Sequence, residues 1–319
     1  MSVIDEPAAP VGPSAQRGRP PRPPRPPRRP PAAPRGPVAL SPGEALARSI
    51  VATLLLLVMM FVLNVTVFSH LQHLASQQRL EDDLRAQLAA GTAPVSEGTF
   101  EDVVLADGAP VAIMDIPRLR FHEVVVEGTS SAQTVLGVGH RRDSVLPGQA
   151  GVSVLMGRAG AYGGPFSAIS SLEPGDEITV RTGQGLQVFE VMGLRYAGDP
   201  TPPNLTRGES RLILQTARGV PYIPTGIAYV DARLVSETQP AGARVTTTLD
   251  PSHRAMATDV RTVWALVFAV QFLIAVETAA VWSFRRFGAQ KTWIVFLPVG
   301  ALAGFFVADQ LTRLLPNLL

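Results

Sequence analysis

Three long apolar runs and one stretch of short, interrupted segments divide the chain. Residues 50–68 are apolar except for Asn64 and two threonines, about the length of helix that crosses a bilayer core. Runs at 262–284 and 292–311 are each long enough to do the same. After the first run, Leu71, Leu74, Leu80, Leu84 and Leu88 recur among charged residues, a rhythm that predicts a juxtamembrane helix. The pattern then changes to short β-rich segments separated by Gly and Pro turns, at 111–114, 123–126, 152–156, 177–181, 186–193, 211–215 and 228–234. These patterns predict membrane helices over 49–69, 261–284 and 292–311, a stalk over 70–97, a β domain over 98–240 and a linker over 241–260. The fold class is therefore mostly β, a small barrel or sandwich with three transmembrane helices.

Charge orients these elements. Residues 1–48 form a Pro/Arg-rich tail with Arg17, Arg19, Arg22, Arg25, Arg28, Arg29 and Arg35 spaced among prolines. Such a segment cannot build a core and is expected to be disordered or extended, next to anionic lipid. Arg285, Arg286 and Lys291 crowd the loop 285–291, so both regions are expected in the cytoplasm. The β domain and residues 312–319 then face outward, in a multi-pass protein of the plasma membrane. A cleaved signal peptide fits poorly, because the first run lies deep in the chain and no small-residue cleavage site follows it.

Polar residues within the spans call for partners. Glu277 is expected to face a helix interface, to take up a proton, or to pair with Gln271 or Arg285, with assembly favoured over translocation. For Asp309, near the outer end of the third span, solvent contact is the expected explanation. Pro298 is expected to bend its helix.

Composition mainly excludes. The chain has no cysteine, which removes disulfides, iron–sulfur clusters, thiolate zinc sites and thiol catalysis. A net charge of only +2, with the densest run of arginines confined to the amino-terminal tail, argues against nucleic-acid binding. Lys291 is the only lysine, and alanine and proline are abundant, usage that suggests a GC-rich bacterial genome. His70 and His73 could share a helical face, but with no third ligand nearby neither a metal nor any cofactor is expected.

Ordered motifs carry a more specific signal. Ile116-Pro117-Arg118-Leu119 is followed by Val126-Glu127-Gly128-Thr129, Gly137-Val138-Gly139-His140 and Leu146-Pro147-Gly148. Val154-Leu155-Met156-Gly157-Arg158, Tyr162-Gly163-Gly164-Pro165-Phe166 and Leu172-Glu173-Pro174-Gly175-Asp176-Glu177-Ile178 come next. Over about 120 residues this succession resembles the sortase family, and in particular actinobacterial, class E-like members. Sortases are membrane-anchored transpeptidases of Gram-positive bacteria that join proteins to cell walls or pili through a cysteine thioester.

The resemblance implies a β-barrel and a triad of histidine, cysteine and arginine. None of the three stands at its matching position. The histidine position holds Arg158, the cysteine position holds Ala217 after Thr216, and the arginine position aligns best with Ile227. Thr216 is a nucleophile only in principle, since no histidine is evident to accept its proton. His140 matches a loop position outside the triad, and His122 is expected at the surface or packed. Asp176 and Glu177 match a turn that opens a strand, not a catalytic carboxylate pair.

The expected function is that of a catalytically inactive, membrane-anchored sortase-like protein that binds or organises cell-surface proteins or sorting-signal peptides, with a membrane protein as a further partner. The alternative is an active sortase-like hydrolase or transpeptidase with an unrecognised nucleophile or a catalytic residue supplied by a partner. A third reading makes the membrane helices the active part, with the external domain as sensor and Glu277 as coupling group.

Overall fold

A computed structural model of the chain describes residues 42–98, 103–220, 222–242, 246, 248–259 and 263–319. The Pro/Arg-rich stretch before residue 42 lies outside them. Eight strands close into a barrel: β1 (Pro110–Ile116), β2 (Phe121–Glu127), β3 (Val138–His140), β4 (Gly151–Met156), β5 (Glu177–Thr182), β6 (Gly185–Tyr196), β7 (Ser210–Val220) and β8 (Ile223–Leu234). They close in the order β1-β2-β3-β4-β7-β8-β6-β5. All seven segments expected from the pattern are strands. The eighth, β3, spans three residues, too few for alternation to reveal. It pairs in parallel with β2, as β4 does with β7, and the other six pairings are antiparallel.

Strand alternation divides the barrel into an inner and an outer face. On β7, Leu212 and Leu214 are fully buried in the barrel core with Met114, Leu155 and Val230. Their neighbours Ile213 and Ala217 belong to a separate apolar cluster with Val154 and Met156 of β4. This outer cluster is where the candidate site lies.

Two helical regions flank the barrel in sequence. Helix α1 (Pro42–Leu63) passes through a π-helical turn at Asn64–Phe68 into α2 (Ser69–Ala90). The turn accompanies a buried polar residue: Asn64 donates from its side-chain amide to the Thr312 hydroxyl at 2.8 Å, giving a polar group within an apolar helix a partner. Helix α2 is docked along the barrel rather than standing as a free stalk. Leu80, Leu84 and Leu88 pack with Ile113 and Val124, and the Gln77 amide caps Val124 NH at 2.7 Å and the Leu136 carbonyl at 2.9 Å. A one-turn helix, α3 (Ser131–Thr134), links β2 to β3.

Helices α4 (Val263–Phe287) and α5 (Ala289–Arg313) form a hairpin packed through Ala269, Leu273, Val276, Ala303 and Val307. Three helical stretches, Ile50–Ala90, Val263–Phe287 and Gln290–Arg313, are long and apolar enough to cross a membrane. Asp309 departs from expectation. It is 7% exposed, accepts from Arg313 Nε at 2.9 Å and Gln72 Nε2 at 3.4 Å, and so joins α5 to α2 instead of facing solvent. Glu277 lies exposed on the outer side of α4, beside but not within the α4–α5 seam. It pairs with neither Gln271 nor Arg285 among the described residues.

Candidate functional site

The adjacent strands β4, β7 and β8 carry the positions singled out above. Gly157 and Arg158 follow β4 directly, and the Gly157 NH donates to the Gln215 carbonyl of β7 at 3.1 Å. Ala217 and Ile227 are opposed residues of β7 and β8. Arg158, Ala217 and Ile227, the outermost two 69 residues apart in sequence, thus come from the loop after β4 and from within β7 and β8, three strands that lie side by side. Phe166 explains the glycine before Arg158: a Cβ at Gly157 would stand 2.6 Å from the phenyl ring. The Phe166 NH also bonds the Arg158 carbonyl at 3.0 Å, so the loop between Gly157 and Phe166 is folded back on itself.

Arg158 is fully buried, and among the described residues no Asp or Glu side chain pairs with it. Its guanidinium donates instead to backbone and hydroxyl oxygens: Nη1 to the carbonyl of Leu319 at 2.8 Å and of Pro316 at 3.3 Å, Nη2 to Ser131 Oγ at 2.8 Å and the Ser131 carbonyl at 3.1 Å. The Tyr162 ring lies 5.1 Å from the guanidinium carbon. Burial lowers the Arg158 pKa to about 10, while burial raises that of Tyr162 to about 12. Arg158 therefore remains a cation at neutral pH and cannot serve as the general base that a histidine would supply.

The remaining groups do not compensate. Thr216 is 3% exposed and donates its hydroxyl hydrogen to the Gly157 carbonyl at 2.9 Å, so its proton is committed to the backbone and not to a base. Arg218, the residue after Ala217, lies with its guanidinium over the Tyr196 ring at 3.9 Å. A pocket of about 150 Å³ between Ala159, Phe166, Thr216 and Arg218 adjoins the same strand end.

A second constellation escaped the sequence reading because its members interact only once β2 and β3 pair. Ser144 Oγ lies 3.2 Å from His140 Nε2, and His140 Nδ1 lies 2.8 Å from Glu127 Oε2. The order of contacts is that of a serine-hydrolase triad, but the protons are elsewhere. His140 Nε2 also lies 2.9 Å from the Val145 carbonyl, which only accepts, so this nitrogen donates. Ser144 Oγ gives its hydrogen to the Arg141 carbonyl at 2.7 Å and receives the Val154 NH at 3.1 Å. Burial opposes a charge on His140, but the Glu127 carboxylate and the Val145 carbonyl outweigh it and raise the His140 pKa. A doubly donating imidazolium holds the loop and activates no nucleophile.

Other histidines serve the docking of α2. His73 is 2% exposed and lies 2.7 Å from Glu123, while the exposed His70 shares the Gly163 side of the helix with it. His122, half exposed, bridges Asp115 and Glu81. The hydrogen bond to Asp115 raises its pKa over the opposing effect of burial. Asp176 closes its turn by accepting from the Glu173 NH at 2.7 Å. Among the described residues no three His, Asp or Glu side chains converge to hold a metal ion.

Comparison with known proteins places this geometry. The sortase domain family matches residues 114–236. Sortase D of Bacillus subtilis (strain 168) is 28% identical over 118 residues, which cover 36% of this chain and 58% of that protein. The chain therefore matches less than two thirds of that relative's length. Among solved structures, a Clostridium perfringens sortase D5 transpeptidase aligns at 19% identity and a TM-score of 0.41, covering 51% of this chain and 99% of the other. Sortase E from Streptomyces avermitilis aligns at 27% identity and a TM-score of 0.36, covering 41% and 91%. The closed eight-stranded barrel, typical of sortases, and the family match across it make this part of the chain a sortase-like domain.

Proposed function

We propose that this protein is a membrane-anchored sortase-like scaffold that binds or organises peptides or proteins at the cell surface without transferring them. The observation that carries this reading is the chain's complete lack of cysteine, with Ala217 where the resemblance places the nucleophile. Thioester chemistry needs a thiolate. A buried cation at Arg158 replaces the proton acceptor, and Ile227 offers no charge to a developing oxyanion.

The test is turnover by the full-length chain in nanodiscs, using fluorogenic sorting-signal peptides with and without an amine acceptor. Neither cleavage nor transfer above the buffer rate is expected. Ala217→Cys is also expected to stay silent, since a new thiol would have neither base nor arginine beside it. Turnover by the unmodified chain that Thr216→Ala abolishes would overturn the reading in favour of a hydroxyl nucleophile.

The same proposal fixes a topology. The continuation of α1 into α2 packs on the barrel, and so does the segment after α5. Both helices thus have the barrel at their carboxyl-terminal ends, in keeping with three alternating spans and an external barrel. The arginine cluster should keep the α4–α5 loop in the cytoplasm. A reporter fused after Gln239 is expected outside and one at Gly288 inside; a cytoplasmic Gln239 reporter would reverse the arrangement.

A further inference from the structure

The outer groove at Arg158, Ala217 and Ile227 is filled by the chain itself. Immediately after α5, Leu318 and Leu319 are buried to 0% and 6% exposure against Val154, Met156 and Ala217. Their backbone is held as a bound peptide would be. The Ala159 NH donates to the Leu318 carbonyl at 2.9 Å, and Arg158 reaches the carbonyls on either side, those of Pro316 and Leu319. Asn317, fully buried, donates from one side-chain amide to the carbonyls of Thr129 at 2.6 Å and Arg254 at 2.8 Å. Its own NH bonds the Ala257 carbonyl at 3.0 Å.

The chemistry of the groove explains why this segment fits. A buried guanidinium that meets no acidic side chain among the described residues needs oxygen acceptors in low dielectric, and the backbone oxygens of Pro316 and Leu319 stand at the required places. The walls from β4 and β7 are apolar and accept leucine side chains. One asparagine amide is bonded at both of its hydrogens, which a leucine or serine at that position could not reproduce.

We propose that the groove at Arg158, Ala217 and Ile227 is a peptide-binding site whose ligand is the chain's own Leu315–Leu319 segment, bound in cis. This inference rests on the reading of the groove as a site without transfer chemistry, and it names the occupant. Two consequences follow from the geometry. The segment ties the end of α5 to the barrel, and any peptide from another protein must displace it. Tethering raises the local concentration of the segment to the millimolar range typical of short linkers, so a free peptide of equal intrinsic affinity competes poorly.

The absence of native cysteine makes the test clean. In the full-length chain in nanodiscs, Ala217→Cys is treated with a small maleimide, and Leu186→Cys, half exposed on β6, serves as control. The groove cysteine is expected to react at least tenfold more slowly than the control. Adding Leu318→Asp and Leu319→Asp should accelerate it at least tenfold with the control unchanged. A synthetic Leu-Pro-Asn-Leu-Leu peptide should then restore protection, where a peptide of scrambled order does not. If the aspartates disturb the barrel and quicken the control, Asn317→Ala, which removes two hydrogen bonds and adds no charge, is read by the same criteria. A groove cysteine as reactive as the control in the intact chain, no acceleration on opening, or no protection by the peptide would each overturn the proposal. Turnover is not the readout, so failure here leaves the no-transfer reading standing, whereas turnover in the unmodified chain is a separate result that would end that reading.

Discussion

Glu127→Gln is expected to destabilise the barrel by about 3 kcal/mol, the low end of the cost of breaking a buried ion pair from one side. Glu127 is 1% exposed and His140 is 2% exposed, so neither can turn to water when the other is lost. The substitution keeps the shape and one acceptor but strips the charge that holds the imidazolium against desolvation. Hydrogen-exchange protection of β3 and β4, or the denaturant midpoint of the full chain, measures the loss. A change below about 0.5 kcal/mol, the range of ordinary surface substitutions, would mean that the pair contributes no net stability. The pH dependence has a definite sign. Because the His140 pKa is raised in the folded state, its contribution is fully present below the ordinary histidine value of about 6.5 and is lost as pH rises through the folded value. The stability gap between the wild type and His140→Gln should therefore be widest in mild acid and shrink on alkalinisation. A gap that widens with pH would show that His140 is neutral in the fold.

Gly139→Ala is expected to cost about 3 kcal/mol or to prevent folding, for a different reason. A Cβ at Gly139 would stand 2.3 Å from the Gly128 carbonyl oxygen, and backbone on both sides leaves nothing flexible to give way. Gly139 pairs with Val126 on one side and Met156 on the other, so β3 cannot shift without opening the barrel between β2 and β4. Overpacking of a closed core carries costs of this order. Gly226→Ala is the control: nothing lies within 4 Å of its added carbon, and a change within about 0.5 kcal/mol is expected. Equal unfolding midpoints for Gly139→Ala and the wild type would show that β3 is not held where the register puts it.

Several features were open to reading from residue order because they depend on short-range pattern. The lengths of the apolar runs identified the three membrane-length helices, and local alternation located seven of eight strands. The motif order around Gly157 and Thr216 pointed to a sortase-like barrel and to the positions Arg158, Ala217 and Ile227. The missing cysteine is a matter of composition alone. The three-residue β3 had no period to display, and its strand character comes from parallel pairing with β2 and antiparallel pairing with β4.

Tertiary structure decided what depends on residues distant in sequence. Leu84 and Leu88 read as one face of a stalk, but whether that face meets a partner or the barrel depends on where β1 and β2 lie. Asp309 read as a solvent-facing acid: Arg313, one turn on, is a local partner, but the contact with α2 comes from Gln72, 237 residues away. His140, a loop residue by motif, ends a strand, and only the pairing of β2 with β3 sets it against Glu127. The groove is the clearest instance. The sequence shows an arginine at the position where the resemblance places a histidine, yet it cannot show that the guanidinium donates to the backbone oxygens of Pro316 and Leu319. Hydrophobic and hydrogen-bonding propensities say which groups require burial or partners, and chain topology alone determines which distant segment supplies them.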